Sequence, residues 1–136
     1  MASISTKMIV IDASALLAVV LSEPERDALI VATRGVALLG PASLPWEIGN
    51  GLVAALRRRR LSLTEATRAW ESCGRIPLRL VDVSVGDAIR LAAARGLYAY
   101  DAYVLALAHD RKLALLTLDG ALRRSASAVG VSLLEY

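Results

Sequence analysis

The sequence predicts an α/β domain arranged as a three-layer sandwich, a mostly parallel sheet of four or five strands flanked by helices. Three observations carry this prediction. Residues 8–11, "MIVI", form a continuous apolar, β-branched run of the kind that makes a strand buried on both faces. Similar runs recur at 36–40, 78–83 and 113–118, separated by segments with helical patterning, as in a parallel sheet with helical crossovers. Hydrophobic residues make up 56% of the 136 and charged ones 21%, enough apolar surface to cover a sheet on both faces and too little charge for a disordered chain. A chain of this length buries about two thirds of its unfolded surface around one core. Residues 7–136 are therefore expected to form one domain, with residues 1–6 a loose tail.

Each element follows from its local signals. After the first strand, Ser14 is placed to cap a helix through "ALLAVVL", and Pro24 with Glu25 restarts a second helix that stops at Gly35. "VALLG" is the second strand. Prolines and Ser43 introduce a helix from Leu44 that ends in the "RRRR" of residues 57–60, where the helix dipole favours positive charge. Ser62 and Glu65 have capping-box spacing for a helix to Cys73 or Gly74. "LRLVDV" is the third strand, Ser84 and Asp87 open a helix closed by Gly96, and a further helix is expected from Asp101 to Arg111. "LALLTL" reads as the fourth strand, "GALRRSASA" as a short helix and "VSLLE" as a closing strand.

Composition excludes several classes. A single cysteine, Cys73, rules out an internal disulfide or a thiolate metal cluster and fits a reducing cytoplasm. The first residues superficially resemble a signal peptide, but Asp12 interrupts the apolar run, and no stretch reaches the 18 uninterrupted apolar residues of a spanning helix. The net charge of +3 is compatible with an anionic partner.

The acidic residues carry the functional signal. Asp12 ends the first strand and Asp119 follows "LALLTL", so both belong at the carboxyl edge of the sheet, where parallel sheets place their ligands. Asp101, in "LYAYDAYVL", lies on the core-facing edge of its helix's first turn, and Glu47 lies in the first turn of the helix that carries Asn50 one turn later. Alone, each has a structural reading: Asp101 as a helix cap, Asp119 as a turn residue, Glu47 as a partner for the helix dipole. Asp12 is harder to explain structurally, because a carboxylate ending a buried strand is costly unless it is paired, hydrogen-bonded or metal-bound. A nest of such acids calls for a cation, and all-oxygen donors select a hard one, Mg²⁺ or Mn²⁺. His109 stands alone and is read as a surface or packing residue.

The series "MIVIDASALLAVVL", "PWEIGNGL", "YAYDAYVLALAH" and "LLTLDGALRR" resembles the PIN-domain nucleases, in particular the small VapC-type toxins of prokaryotic toxin-antitoxin pairs. The resemblance spans nearly the whole chain. It implies a Mg²⁺- or Mn²⁺-dependent endoribonuclease that leaves 5′-phosphate and 3′-hydroxyl ends, is usually dimeric, and is held inactive by a cognate antitoxin. It places the catalytic quartet on Asp12, Glu47, Asp101 and Asp119, with the ion at Asp12, Asp101 and Asp119. Ser14, Asn50 and Thr117 match supporting polar positions, each of which also has a capping or structural reading. Arg57, Arg60, Arg123 and Arg124 are candidates for guiding RNA phosphates, against the plainer reading of a solvated face. Trp46 and Trp70 are expected mainly in core packing, with an antitoxin helix or a dimer partner as the alternative.

Three other readings compete, the first being the same fold without catalysis, an RNA- or protein-binding module, against which the intact acid set argues. A receiver-like phosphorylation switch is also an α/β sheet with acids at strand ends, and would use Asp82 as phosphoacceptor. A PIN nuclease of RNA processing, working without an antitoxin, would share every residue named above.

Overall fold

The computed structural model describes residues 7–136; the expected tail at 1–6 lies outside the described residues. Four strands, β1 (Lys7–Ile11), β2 (Val36–Pro41), β3 (Leu78–Val81) and β4 (Ala114–Leu116), form one sheet in the order β3-β2-β1-β4, every pairing parallel. The helices are α1 (Ala13–Val20), α2 (Arg26–Ala32), α3 (Leu44–Arg57), α4 (Leu63–Gly74), α5 (Val85–Arg95), α6 (Ala99–Arg111) and α7 (Gly120–Ala128).

The alternation of β1 sorts these helices into two layers. Ile9 and Ile11 face a cluster with Leu16, Leu29, Leu44, Ile48, Leu52 and Ala69, contributed by α1 to α4. Val10 faces the opposite side and packs with Leu39, Val104, Leu105, Leu107, Leu122 and Ala126, mostly from α6 and α7. The expected three-layer sandwich is the observed one.

The expected fifth strand is absent among the described residues. "VSLLE" meets β4 at one bridge, Leu115 to Leu133, where the Leu115 amide donates to the Ser132 carbonyl and the Leu134 amide to the Leu115 carbonyl, and the pairing goes no further. Two caps also move. Asp12, not Ser14, caps α1, its carboxylate accepting from the Ala15 amide. α6 begins two residues before Asp101, with Tyr98 in the cap position and no side-chain cap bond, so Asp101 is a first-turn residue and not a cap. The capping box of Ser62 and Glu65, and the start of α5 at Ser84, are as expected.

The tryptophans are not core residues. Trp46 is 70% exposed and Trp70 49%. Leu44, Ile48 and Leu52 define the buried stripe of α3, and Trp46, two residues from Leu44, falls on the opposite side of the helix. His109 is exposed beside Asp110. No helix of the described residues is long and apolar enough to cross a membrane.

Candidate active site

The strand order places a topological switch beside β1, since β2 continues the sheet on one side and β4 on the other. A cleft opens outside the carboxyl ends of strands at such a point. Here the chain leaving β1 supplies Asp12 and Ser14, and the chain leaving β4 supplies Thr117 and Asp119. The two exits are tied directly by the Asp12 amide donating to the Leu116 carbonyl at 3.2 Å.

Asp12 is 2% exposed, and both its oxygens are engaged. Oδ1 accepts from Ser14 Oγ at 2.7 Å and from the Ala15 amide at 3.1 Å, while Oδ2 accepts from Thr117 Oγ1. Burial still outweighs these bonds and holds the Asp12 carboxyl above the usual range, with the charge of Asp119 adding to the effect. Ser14 and Thr117 are themselves fixed from β4's exit, since the Leu118 amide donates to Ser14 Oγ at 2.9 Å and the Asp119 amide to Thr117 Oγ1 at 3.0 Å. Asp119 caps α7, accepting from the Leu122 amide at 2.8 Å through Oδ1. It is thus a cap as well as a member of the acidic group.

Glu47 reaches the cleft from α3. That helix packs against α1, with Gly51 set beside Leu17: a Cβ there would stand 2.9 Å from Cδ1, the movable end of the Leu17 side chain. Burial, then the charges of Asp12, Asp101 and Asp119, push Glu47 up to about 7. Asp101, presented by the first turn of α6, is pushed up to about 6 by burial and by Asp119 and Asp12. Four acids from four parts of the chain therefore share one field, with Asp12 and Asp119 near its centre.

Ser14 and Thr117 join this group by hydrogen bonds. Asn50 does not: it is exposed on α3 and outside the network that links Asp12, Ser14 and Thr117. Arg57, Arg60 and Arg124 are exposed, whereas Arg123 is largely covered and bonded to the Thr117 carbonyl. Tyr100 and Tyr103 form an edge-on aromatic pair at 6.3 Å, and Tyr98 is 87% exposed. Asp82 is exposed after the edge strand β3, two strands away from β1, and is not among the charges that perturb Asp12, Glu47 or Asp101.

The residues suit a hard divalent cation. Their donors are carboxylate and hydroxyl oxygens, and Glu47 Oε2 is buried without a hydrogen-bond partner, a cost that a cation in the cleft would offset. Among the described residues no three His, Cys, Asp or Glu side chains stand as a ready-made ligand set, so direct ligation by three acids requires side-chain adjustment. Ser43, expected to introduce α3, stands at its N-cap position but makes no side-chain cap bond, and its Oγ is a second buried and unpartnered oxygen.

Residues 9–127 match the PIN-domain family. The chain is 38% identical over 113 residues to VapC ribonuclease Mb0985 of Mycobacterium bovis and, equally, to ribonuclease VapC9 of Mycobacterium tuberculosis, covering 82% of this chain and 86% of each relative. Among solved structures, PAE2754 from Pyrobaculum aerophilum superposes with a TM-score of 0.67 at 26% identity, over 90% of this chain and 87% of that one. VapBC2 from Rickettsia felis, bound to a DNA fragment from its promoter, has the same fold, with a TM-score of 0.61 at 12% identity over 94% of this chain and 97% of that one. The receiver-like reading is thereby set aside, and the chain belongs to the PIN-domain family, in its VapC-type branch.

Proposed function

We propose that this protein is a divalent-metal-dependent endoribonuclease, the toxin of a toxin-antitoxin pair, with Asp12, Glu47, Asp101 and Asp119 as its catalytic acids. The observation that carries the reading is the mutual electrostatic influence of these four acids, from the β1 exit, α3, α6 and the β4 exit, with Glu47 and Asp101 pushed to about 7 and about 6. The names of the mycobacterial relatives support the same activity.

Asp12, Asp101 and Asp119 would hold Mg²⁺, or Mn²⁺, with Glu47 beside them. When bound, the ion lowers the pKa of a water and shields the charge that develops on the phosphate during in-line attack. The chain's own residues set the stage for this. Ser14 and Thr117 fix both oxygens of Asp12, so that its orientation is determined before substrate arrives. The α7 amide of Leu122 fixes one oxygen of Asp119, and this bond does not use the other. Arg57, Arg60 and Arg124 are exposed cations able to bind RNA phosphates outside the acidic centre. Asn50 would act through Glu47's helix or on substrate, since it has no bond to Asp12. The protein works in the cytoplasm as a homodimer and is silenced by a cognate antitoxin, with no membrane partner.

The test is RNA incubated with the purified protein and Mg²⁺, followed by sequencing of the new ends. Cleavage leaving 5′-phosphate and 3′-hydroxyl ends is expected. An intact RNA pool, or ends carrying 2′,3′-cyclic phosphate, would overturn the reading.

A further inference from the structure

Arg123 has the sequence signature of an RNA-binding cation, next to Arg124 and close to the last acid, but its surroundings are those of a clamp. Its side chain is 28% exposed. Nη1 donates to the Thr117 carbonyl at 3.2 Å, Nη2 stands 3.8 Å from Glu135 Oε1, and the guanidinium lies 5.8 Å from the centre of the Tyr136 ring. Glu135 is 82% exposed and so contributes little. The inward bond to Thr117 and the ring of Tyr136 define the position.

Thr117 is the residue on which this clamp matters. It is fully buried, it follows the last residue of β4, and its carbonyl lies beyond the strand's paired segment. A buried carbonyl needs a donor. Its side chain meanwhile donates to Asp12, accepts from the Asp119 amide, and lies 3.2 Å from Ser14 Oγ. The peptide that Arg123 holds is therefore the one that aims the hydroxyl at Asp12 and sets the path into Asp119.

We infer that Arg123 is a positioning residue for the acidic centre: it locks the Thr117 peptide through its carbonyl, with Tyr136 steadying the guanidinium, and does not bind RNA phosphate. Its consequence for catalysis rests on the nuclease reading above; its consequence for the backbone does not.

The test has two arms, each applied to wild type, Arg123→Ala, Arg123→Lys and Arg124→Ala. In the first, amide hydrogen exchange is measured in EDTA at Leu118 and Asp119, whose amides bond to Ser14 and Thr117. Arg123→Ala should speed exchange at these two amides about tenfold or more, the size expected from losing a charge-assisted hydrogen bond, and Arg123→Lys should restore most of the protection. Unchanged exchange overturns the proposal whether or not the protein cleaves RNA. In the second, RNA cleavage and binding are followed against salt. Arg123→Ala should lower kcat about tenfold or more with KM within about twofold and an unchanged salt slope, whereas Arg124→Ala should weaken binding and reduce the slope by about 0.7, as for one lost phosphate contact. A raised KM and a reduced slope in Arg123→Ala would make it an RNA contact and overturn the proposal. Wild-type protein that cleaves nothing would defeat the nuclease reading alone, leaving the exchange arm to decide the clamp.

Discussion

Glu47→Gln, studied in EDTA, should stabilise the protein at high pH and not at low pH. The reason is linkage. In the folded protein the Glu47 carboxyl is pushed from 4.5 up to about 7, first by burial and then by Asp12, Asp101 and Asp119. Between those values the folded state holds a proton that the unfolded state has released, so stability falls as pH rises through this window. The favourable contribution is complete below about 4.5 and lost above about 7. A fully shielded group with this displacement would cost about 3 kcal/mol at pH 8; Glu47 is partly open to water, and screening reduces this to about 1–2 kcal/mol. Gln keeps the shape and removes the charge. Any cost of burying its amide beside the unpartnered Oε2 site is independent of pH, so the change in the mutational effect between pH 5 and pH 8 isolates the charge. Urea denaturation is the assay, and a gain of about 1–2 kcal/mol at pH 8 relative to pH 5 would raise the midpoint by roughly 1 M for a domain of this size. A mutational effect that is the same at both pH values would refute the claim that Glu47 sits in a shared carboxylate field.

Three further outcomes are expected. Asp101→Asn should abolish cleavage while leaving urea stability in EDTA equal to or above wild type, because Asp101 makes no cap bond; a loss of about 1 kcal/mol with full activity would restore the capping role. Thr117→Val leaves Asp12 Oδ2 and the Asp119 amide without their hydroxyl partner and should cost about 1–3 kcal/mol in urea together with most of the cleavage rate; retention of both would remove Thr117 from the site. Ser62→Ala breaks the exposed capping box of α4 and should cost about 1 kcal/mol by thermal or urea melting with cleavage unchanged, which separates stability from chemistry.

The parts of this protein that were legible in sequence are those set by short-range pattern. The run "MIVI" could only be a strand buried on both faces, and the register of Asp12 at its end followed from that. Ser62 with Glu65 specified a cap by chemistry contained within four residues. Asp101 was legible as a site candidate in the first turn of its helix, but the point where that helix starts was not. A cap preference for Asp points to Asp101, whereas the chain turns at Gly96, left-handed at φ 65°, and is already helical at Ala99 with no acceptor on Tyr98. The closing strand failed for a different reason, since how far "VSLLE" runs alongside β4 is set by the path of the chain after α7 and not by the composition of those residues. Trp46 was expected mainly in core packing, although the stripe of Leu44, Ile48 and Leu52 already placed it outside. Arg123 was beyond reach, because its bond to Thr117 exists only once β4 has turned into α7. Asp12 as its own cap was within reach: a carboxylate three residues before a free helix amide is a standard N-terminal signal.

The measurement closest to the central claim is RNA cleavage by wild type and Asp12→Asn during removal and return of metal. Wild-type cleavage should stop in EDTA and return on adding excess Mg²⁺ or Mn²⁺, and Asp12→Asn, folded by circular dichroism, should stay inactive at every metal concentration. Cleavage that persists in EDTA, or an Asp12→Asn protein as active as wild type, would contradict a metal centre built on the acids at the carboxyl ends of β1 and β4.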